Sequence, residues 1–318
     1  MPSSRTSAPR SPSFGARRPT RKGTVSARVR ADNRNAVVLA VLLVVVLVLI
    51  GGVVFLTTRG GDGSGPAAAG GAGIAHVHGL GVDPQDGALY AGTHYGLFRL
   101  PETAGATLVA DRVQDFMGFT VVGPGHYLAS GHPGEGQGGP SSLGLIESTD
   151  GGQTWQSLSL AGEADFHSLE ARHGLVYGLN SVTGEFMVSQ DKQAWDTRSQ
   201  IPMADFAVSP YDPNVVLGTT EQGLARSDDG GRDFQPVPSA PVLQLVTWAG
   251  DGTVFGVAPD GTVHASTDDG QSWQQRGSLD AAPEALATND SADVYAAADG
   301  AILVSVDGGR TFTVRYSE

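Results

Sequence analysis

The segment Ser148–Trp155 reads STDGGQTW, and its recurrence along the chain decides the fold. Related segments begin at four later serines: SQDKQAW from Ser189, SDDGGRDF from Ser227, STDDGQSW from Ser266 and SVDGGRTF from Ser305. The serines lie 41, 38, 39 and 39 residues apart. A period near 40 residues, with several short strands in each repeat, is typical of the blades of a β-propeller.

Each recurring position of this motif has a physical role in a tight turn. The aspartate can accept hydrogen bonds from backbone N–H groups of the turn, and glycine supplies the positive φ that the turn requires. The closing Trp or Phe then packs into the apolar layer between blades. We therefore interpret the motif as a folding element, with the aspartates Asp150, Asp229, Asp268 and Asp307.

A strand that begins with glycine precedes every motif, and one more such strand occurs upstream at Gly96–Leu100. There the sequence PETA, from Pro101, stands in place of the motif, so the repeats number six. We predict an all-β fold, a six-bladed β-propeller over residues 76–318. The predicted blades are 76–113, 114–163, 164–203, 204–242, 243–281 and 282–318.

A long apolar segment precedes the repeats. Residues Ala36–Leu56 contain no charged side chain, and 21 residues of helix span a hydrocarbon core of about 30 Å. We predict a transmembrane signal-anchor helix, although Ala67-Ala68-Ala69 downstream leaves a cleaved signal peptide as the alternative. The basic tail 1–35 places the N-terminus in the cytoplasm, so the propeller is predicted to lie outside a single-pass cell membrane, after a Gly/Ala-rich linker over 57–75.

Composition excludes several classes of function. The chain has no cysteine, which excludes disulfides, thiolate metal sites and cysteine nucleophiles. Residues 57–318 contain 32 acidic and 11 basic side chains, a balance of −21. A field of this sign repels nucleic acid and favours cations or basic partners, so we expect no nucleic-acid binding.

A polar residue recurs at the first position of the innermost strand of every predicted blade. These residues are, in order, His76, Asp115, Asp165, Asp205, Gln244 and Glu284. Because side chains alternate along a strand, the third positions share their face, and in blades 1–3 these are His78, Met117 and His167. Innermost strands line the central channel of a propeller, so both sets are predicted to meet at one end of that channel.

Histidines are concentrated at this end of blades 1–3. The loop between the second and third strands should emerge there too, and it carries His94 in blade 1 and His132 in blade 2. Imidazole together with carboxylate suits Zn²⁺, Fe or Cu, and Met117 favours copper. We predict a ligand site formed by His76, His78, His94, Asp115, Met117, His132, Asp165, His167 and Asp205. Within it, a divalent transition metal (Zn²⁺ or Cu²⁺) would be bound by His78, His94, His132 and His167.

Five short stretches resemble a known bacterial group. They are HVHGL from His76, THYGLF from Thr93, DFMGF from Asp115, SGHP from Ser130 and GLIESTDGG from Gly144. These stretches and the repeat are similar to membrane-anchored Asp-box (BNR) propellers described as glycosyl hydrolase-like or sialidase-like. The resemblance covers residues 76–318, and the repeat itself occurs in propellers of unrelated function.

Sialidase activity requires an arginine cluster for the substrate carboxylate, and the repeat alignment does not assemble one. Arg99 falls on a third strand, and the other candidates lie in or beside motif turns: Arg226, Arg232 and Arg310.

Three hypotheses for the function therefore remain. The first, which the residues favour, is a module that binds a glycan, a metal or a protein at the channel end. The second is another glycosidase with Asp115 and Asp165 as acid and base. The third is a structural scaffold with a water-filled channel.

Overall fold

The structure of the protein is a computed structural model that describes residues 74, 76–103, 105–110, 114–134, 136–289 and 291–317. These residues form 24 strands. In chain order they are β1 Val77–Val82, β2 Leu89–Thr93, β3 Gly96–Leu100, β4 Thr107–Leu108, β5 Asp115–Gly123, β6 His126–His132, β7 Leu145–Ser148, β8 Gln156–Ser159, β9 Phe166–Arg172, β10 Leu175–Asn180, β11 Glu185–Ser189, β12 Asp196–Gln200, β13 Met203–Val208, β14 Val216–Thr220, β15 Gly223–Ser227, β16 Gln235–Pro236, β17 Leu245–Trp248, β18 Val254–Val257, β19 Thr262–Ser266, β20 Gln274–Ser278, β21 Pro283–Thr288, β22 Val294–Ala298, β23 Ala301–Ser305 and β24 Thr313–Ser317.

The strands form six antiparallel sheets, each made of four consecutive strands. This confirms the predicted all-β, six-bladed propeller. The first strand of every sheet lines a shared central cavity of about 660 Å³. The innermost strands are therefore β1, β5, β9, β13, β17 and β21, and their side chains face one channel.

The ring closes by packing of blade 6 against blade 1, and no strand is exchanged between those two sheets. Leu89 and Phe98 of blade 1 share one buried apolar cluster with Tyr295 and Ile302 of blade 6. Two hydrogen bonds cross the same junction. The Val77 amide donates to Glu284 Oε2 (3.1 Å), and Arg315 Nη2 donates to the Leu100 carbonyl (3.0 Å).

The Asp-box turns join third strands to fourth strands and have the predicted hydrogen bonds. In the first box, Asp150 Oδ1 accepts from the Thr154 amide (2.9 Å) and from Ser148 Oγ (2.8 Å). The hydroxyl of Ser148 also accepts from the Gly152 amide (2.8 Å). The closing Trp155 is half-buried, and its ring packs 5.1 Å from that of Phe116. It belongs to the apolar layer between blades 1 and 2, as predicted, but it caps that layer instead of filling its centre.

The box aspartates should make the propeller sensitive to acid. Hydrogen bonds from Ser272 and Ser266 lower the pKa of Asp268 to about 2. A carboxylate whose pKa is lowered by folding stabilises the protein above its unfolded pKa of about 4, and this contribution is lost as pH falls towards 2. Asp268→Asn should therefore be less stable than the wild type at pH 7, and the two stabilities should converge between pH 4 and pH 2.

Urea unfolding at a series of pH values measures this convergence. Asp269→Asn is the matched control, because it removes a neighbouring charge of the same turn and leaves the hydrogen bonds of Asp268 intact. Parallel pH profiles for Asp268→Asn and the wild type would contradict the assigned role of the box carboxylate.

The predicted transmembrane helix Ala36–Leu56, with its basic tail and linker, lies outside the described residues. Among the residues that the structure describes, no helix is long and apolar enough to cross a membrane.

Candidate functional site

The strand registers bring the start of each first strand beside the end of the second strand. Val77 pairs with Thr93 in blade 1, Asp115 pairs with His132 in blade 2, and Phe166 pairs with Asn180 in blade 3. We call this end of blades 1–3 the rim. It carries His76, His78, His94, Asp115, His132, Asp165, His167 and Ser181. The Asp-box turns lie at the opposite end, because they follow the third strands.

Blade 1 and blade 2 meet at the rim in a chain of three polar side chains. His94 Nδ1 lies 2.6 Å from Asp115 Oδ1, and His94 Nε2 lies 3.1 Å from His78 Nε2. Asp115 can only accept when ionised, so the Nδ1 atom of His94 carries the proton. The exposed ring of His76 lies beside this chain, with its centroid 5.5 Å from that of His94.

A second chain of polar side chains joins blades 2 and 3 around Asp165. The Oδ2 atom of Asp165 lies 2.9 Å from His167 Nε2 and 3.5 Å from His132 Nε2. Ser181 Oγ donates to the same oxygen at 3.2 Å. His132 Nδ1 donates to the carbonyl of Ser141 (2.7 Å), and its Nε2 atom is turned towards the carboxylate of Asp165.

Burial controls the charge of these groups. Burial lowers the pKa of His78 to about 4, with a further contribution from His94, and keeps this imidazole neutral at pH 7. Asp165 is only 4% exposed. Its burial acts to raise the pKa of the carboxyl, but the hydrogen bond and charge of His167, together with the charge of His132, bring that pKa below its usual value. Asp165 is therefore an anion held inside a polar pocket.

The first-position residues of blades 4–6 have a different role from those of blades 1–3. Each one bonds to the innermost strand of the next blade. Asp205 Oδ2 accepts from the Val246 amide (2.9 Å). Gln244 Nε2 donates to the Pro283 carbonyl (3.0 Å). Glu284 accepts from the Val77 amide, as described above. These three residues connect neighbouring blades.

Asp205, one of the nine predicted ligand residues, thus belongs to the blade-connecting set. Ser168 Oγ also donates to its Oδ1 atom (2.7 Å), and burial raises the pKa of its carboxyl to about 6. The other eight predicted residues lie on blades 1–3. Met117 lines the channel there. The four predicted metal ligands are divided between two carboxylates: His78 and His94 lie near Asp115, and His132 and His167 lie near Asp165.

Three rim residues were not predicted from the sequence. Thr93 and Asn180 end the second strands of blades 1 and 3 at equivalent points. The residues that follow them, His94 and Ser181, are therefore equivalent, and the repeat alignment that related His94 to His132 could have identified Ser181 as well. Tyr95 and Val182 lie in the same turns and are 45% and 66% exposed. Exposed apolar side chains in a loop give no periodic signal, so they were found only in the structure.

Comparison with known proteins supports the fold and points to one relative. Residues 146–157 match the family model of the BNR/Asp-box repeat. A structure of a gluconolactonase from Xanthomonas campestris superposes with a TM-score of 0.60 at 10% identity, over 76% of this chain and 87% of that chain. A structure of Ycf48 bound to a D1 peptide superposes with a TM-score of 0.50 at 18% identity, over 76% of this chain and 81% of that chain. At these identities both structures show the fold alone.

These findings define the class: the chain is a six-bladed β-propeller with Asp-box repeats. Its sequence is related to the photosystem II assembly lipoprotein Ycf48 of Prochlorococcus marinus, with 26% identity over 142 residues. The matched segment covers 41% of this chain and 42% of the relative, so the chain spans about two-fifths of that protein.

Proposed function

We propose that the propeller is a protein-binding module whose rim in blades 1–3 binds a peptide segment of its partner. The observation that carries the proposal is the combination of side chains at the rim. The histidines of the pairs His94–Asp115 and His167–Asp165 are 37% and 41% exposed there, and the exposed apolar side chains Tyr95 and Val182 lie in the adjoining turns. Peptide sites combine apolar anchors with a few placed polar groups in this way.

Charge indicates which peptides the rim favours. Asp115 and Asp165 supply carboxylates, and the half-buried His78 is neutral at pH 7. Residues 57–318 as a whole have an acidic excess of −21. Complementary charge accelerates association and discriminates between partners, so the favoured segment contains Lys or Arg beside an apolar residue.

The relative gives a precedent for the class of ligand. Ycf48 is a photosystem II assembly lipoprotein, and it has been seen bound to a D1 peptide. We extend from it only the class of ligand, a peptide segment of a protein partner. The anchor proposed for Ala36–Leu56 would hold the propeller on the outer side of a membrane, where its partner would be a membrane-associated or exported protein.

Selection from a library of displayed 12-residue peptides tests the proposal. The full chain, purified in detergent, should enrich peptides with a basic residue near an apolar one. Tyr95→Ser and Val182→Ser should each weaken binding of a selected peptide by about tenfold, which corresponds to about 1.4 kcal/mol. An interface anchor typically contributes at least this much.

The opposite end of the propeller offers matched controls. Tyr211 is 67% exposed in the β13–β14 turn, and Val306 is 78% exposed in the last Asp box. Tyr211→Ser and Val306→Ser should leave the affinity unchanged. The proposed site would be refuted if the rim variants and the control variants lost equal affinity for the peptide. It would also be refuted if neither rim substitution changed the affinity of any selected peptide.

A further inference from the structure

The facing nitrogens of His78 and His94 have the geometry of a pair of metal ligands. Their Nε2 atoms are 3.1 Å apart, and the ring planes are inclined by 74°. Two ligands with metal–nitrogen bonds of about 2.0–2.1 Å are separated by about 2.9 Å at a right angle and by about 3.3 Å at the tetrahedral angle. The observed separation lies between these values, so the two nitrogens are already spaced to bind one ion.

Asp115 prepares His94 for this role. It accepts the Nδ1 proton at 2.6 Å, which leaves the lone pair of His94 on Nε2, the atom that faces His78. Carboxylates that hold the distal N–H of a ligating histidine are characteristic partners of metal sites, because they fix the tautomer and the ring orientation. Among the described residues, His78, His94 and Asp115 are the group of His, Asp and Glu side chains whose ligand atoms all lie within 4.8 Å of one another.

We propose that His78 and His94 bind one divalent transition-metal ion, Zn²⁺ or Cu²⁺, through their Nε2 atoms, with Asp115 as the positioning residue for His94. In the metal-free chain His78 Nε2 carries the proton of the hydrogen bond to His94 Nε2, and on metal binding this proton moves to Nδ1 of His78, so that the ion replaces the hydrogen bond. Imidazole ligands select ions of this kind over Mg²⁺ and Ca²⁺. His94 is 37% exposed, so the remaining coordination positions face the solvent at the rim. They are open to water or to a side chain of a bound partner.

The assignment differs from a shared site of four histidines. His132 donates through Nδ1 to the Ser141 carbonyl and turns Nε2 towards Asp165. It therefore pairs with Asp165 and not with Asp115.

Isothermal titration calorimetry of the metal-free full chain with Zn²⁺ tests the proposal. The wild type should bind one ion per chain at the rim. His78→Gln and His94→Gln should each weaken binding by at least about 100-fold, and Asp115→Asn should weaken it by about 10–100-fold, as expected for a carboxylate that orients a ligand. His264→Gln is the control for binding to a surface histidine and should have no effect.

Electron paramagnetic resonance of the Cu²⁺-loaded chain supplies a readout that folding alone does not change. The spectrum should show two coupled imidazole nitrogens in the wild type and one in His78→Gln, while circular dichroism of the variant stays native. Stoichiometric binding that survives the double replacement of His78 and His94 would overturn the proposal. If His132→Ala lost as much metal affinity as His94→Gln, the two-histidine assignment would be overturned in favour of a site shared with His132.

Discussion

Replacing Phe186 by alanine should lower the free energy of unfolding by about 3–5 kcal/mol, the cost of deleting a buried aromatic side chain and leaving a cavity. Phe186 lies on β11 of blade 3 and is fully buried. Its ring packs edge-on against Phe206 (5.0 Å between centroids) and Phe234 (5.8 Å), both of blade 4. The side chain therefore fills the layer between the two blades, and its loss removes contacts from both of them.

Urea unfolding monitored by near-ultraviolet circular dichroism measures this loss. Val314→Ala on the outer strand β24 is the control, because Val314 is 62% exposed and an exposed substitution should change stability by less than about 0.5 kcal/mol. A cost for Phe186→Ala as small as that of Val314→Ala would show that the aromatic layer does not hold the blades together.

Replacing Gly231 by alanine should cost about 2–5 kcal/mol for two separate reasons. Its φ of 88° lies in the left-handed region, which costs a residue with a Cβ about 1–2 kcal/mol. An added Cβ would also lie only 2.1 Å from Cε1 of Phe186, a buried ring that cannot move aside. Overpacking of this kind adds about 1–3 kcal/mol.

Gly151 separates the two contributions. Its φ is 72°, and an added Cβ would meet no atom within 4 Å, so Gly151→Ala should show the backbone cost alone. The double variant Phe186→Ala/Gly231→Ala should be more stable than the sum of the single effects predicts, because the new methyl group occupies part of the space left by the ring. Strict additivity would mean that the box glycine and the aromatic layer do not touch.

The repeat allowed the blades to be predicted because each Asp box combines local turn chemistry with one aromatic side chain. Ser148, Asp150 and Gly152 form their hydrogen bonds within a few residues of one another, so spacing alone locates the turn. The six-bladed count followed from the strand Gly96–Leu100, which remains in blade 1 although its box is absent.

The rim was predictable as a set of positions but not as a set of contacts. Alignment placed Asp115, Asp165 and Asp205 at equivalent points, yet the first two pair with histidines and the third binds the amide of Val246 in the next blade. Which neighbour a channel side chain contacts depends on the packing between blades. The spacing of the repeats along the sequence carries no information about that packing.

The same limit applies to the histidines. His94 and His132 occupy equivalent turns, and β1 and β5 have register shifts at equivalent points, between Val77 and Gly79 and between Phe116 and Gly118. His132 turns towards Asp165 of blade 3. Each histidine is thus placed by a carboxylate on the following blade, Asp115 for His94 and Asp165 for His132. That relation appears only when the blades are assembled.

The central claim, that the rim of blades 1–3 binds the partner protein, is tested most directly by site-specific photo-crosslinking in the native host. The photoreactive residue benzoylphenylalanine would replace Tyr95 at the rim or Tyr211 at the opposite end, two exposed tyrosines. We expect irradiation to join a discrete protein to the Tyr95 position and not to the Tyr211 position, and a rim-binding peptide should compete that adduct away. A discrete adduct at Tyr211 with none at Tyr95 would contradict the account.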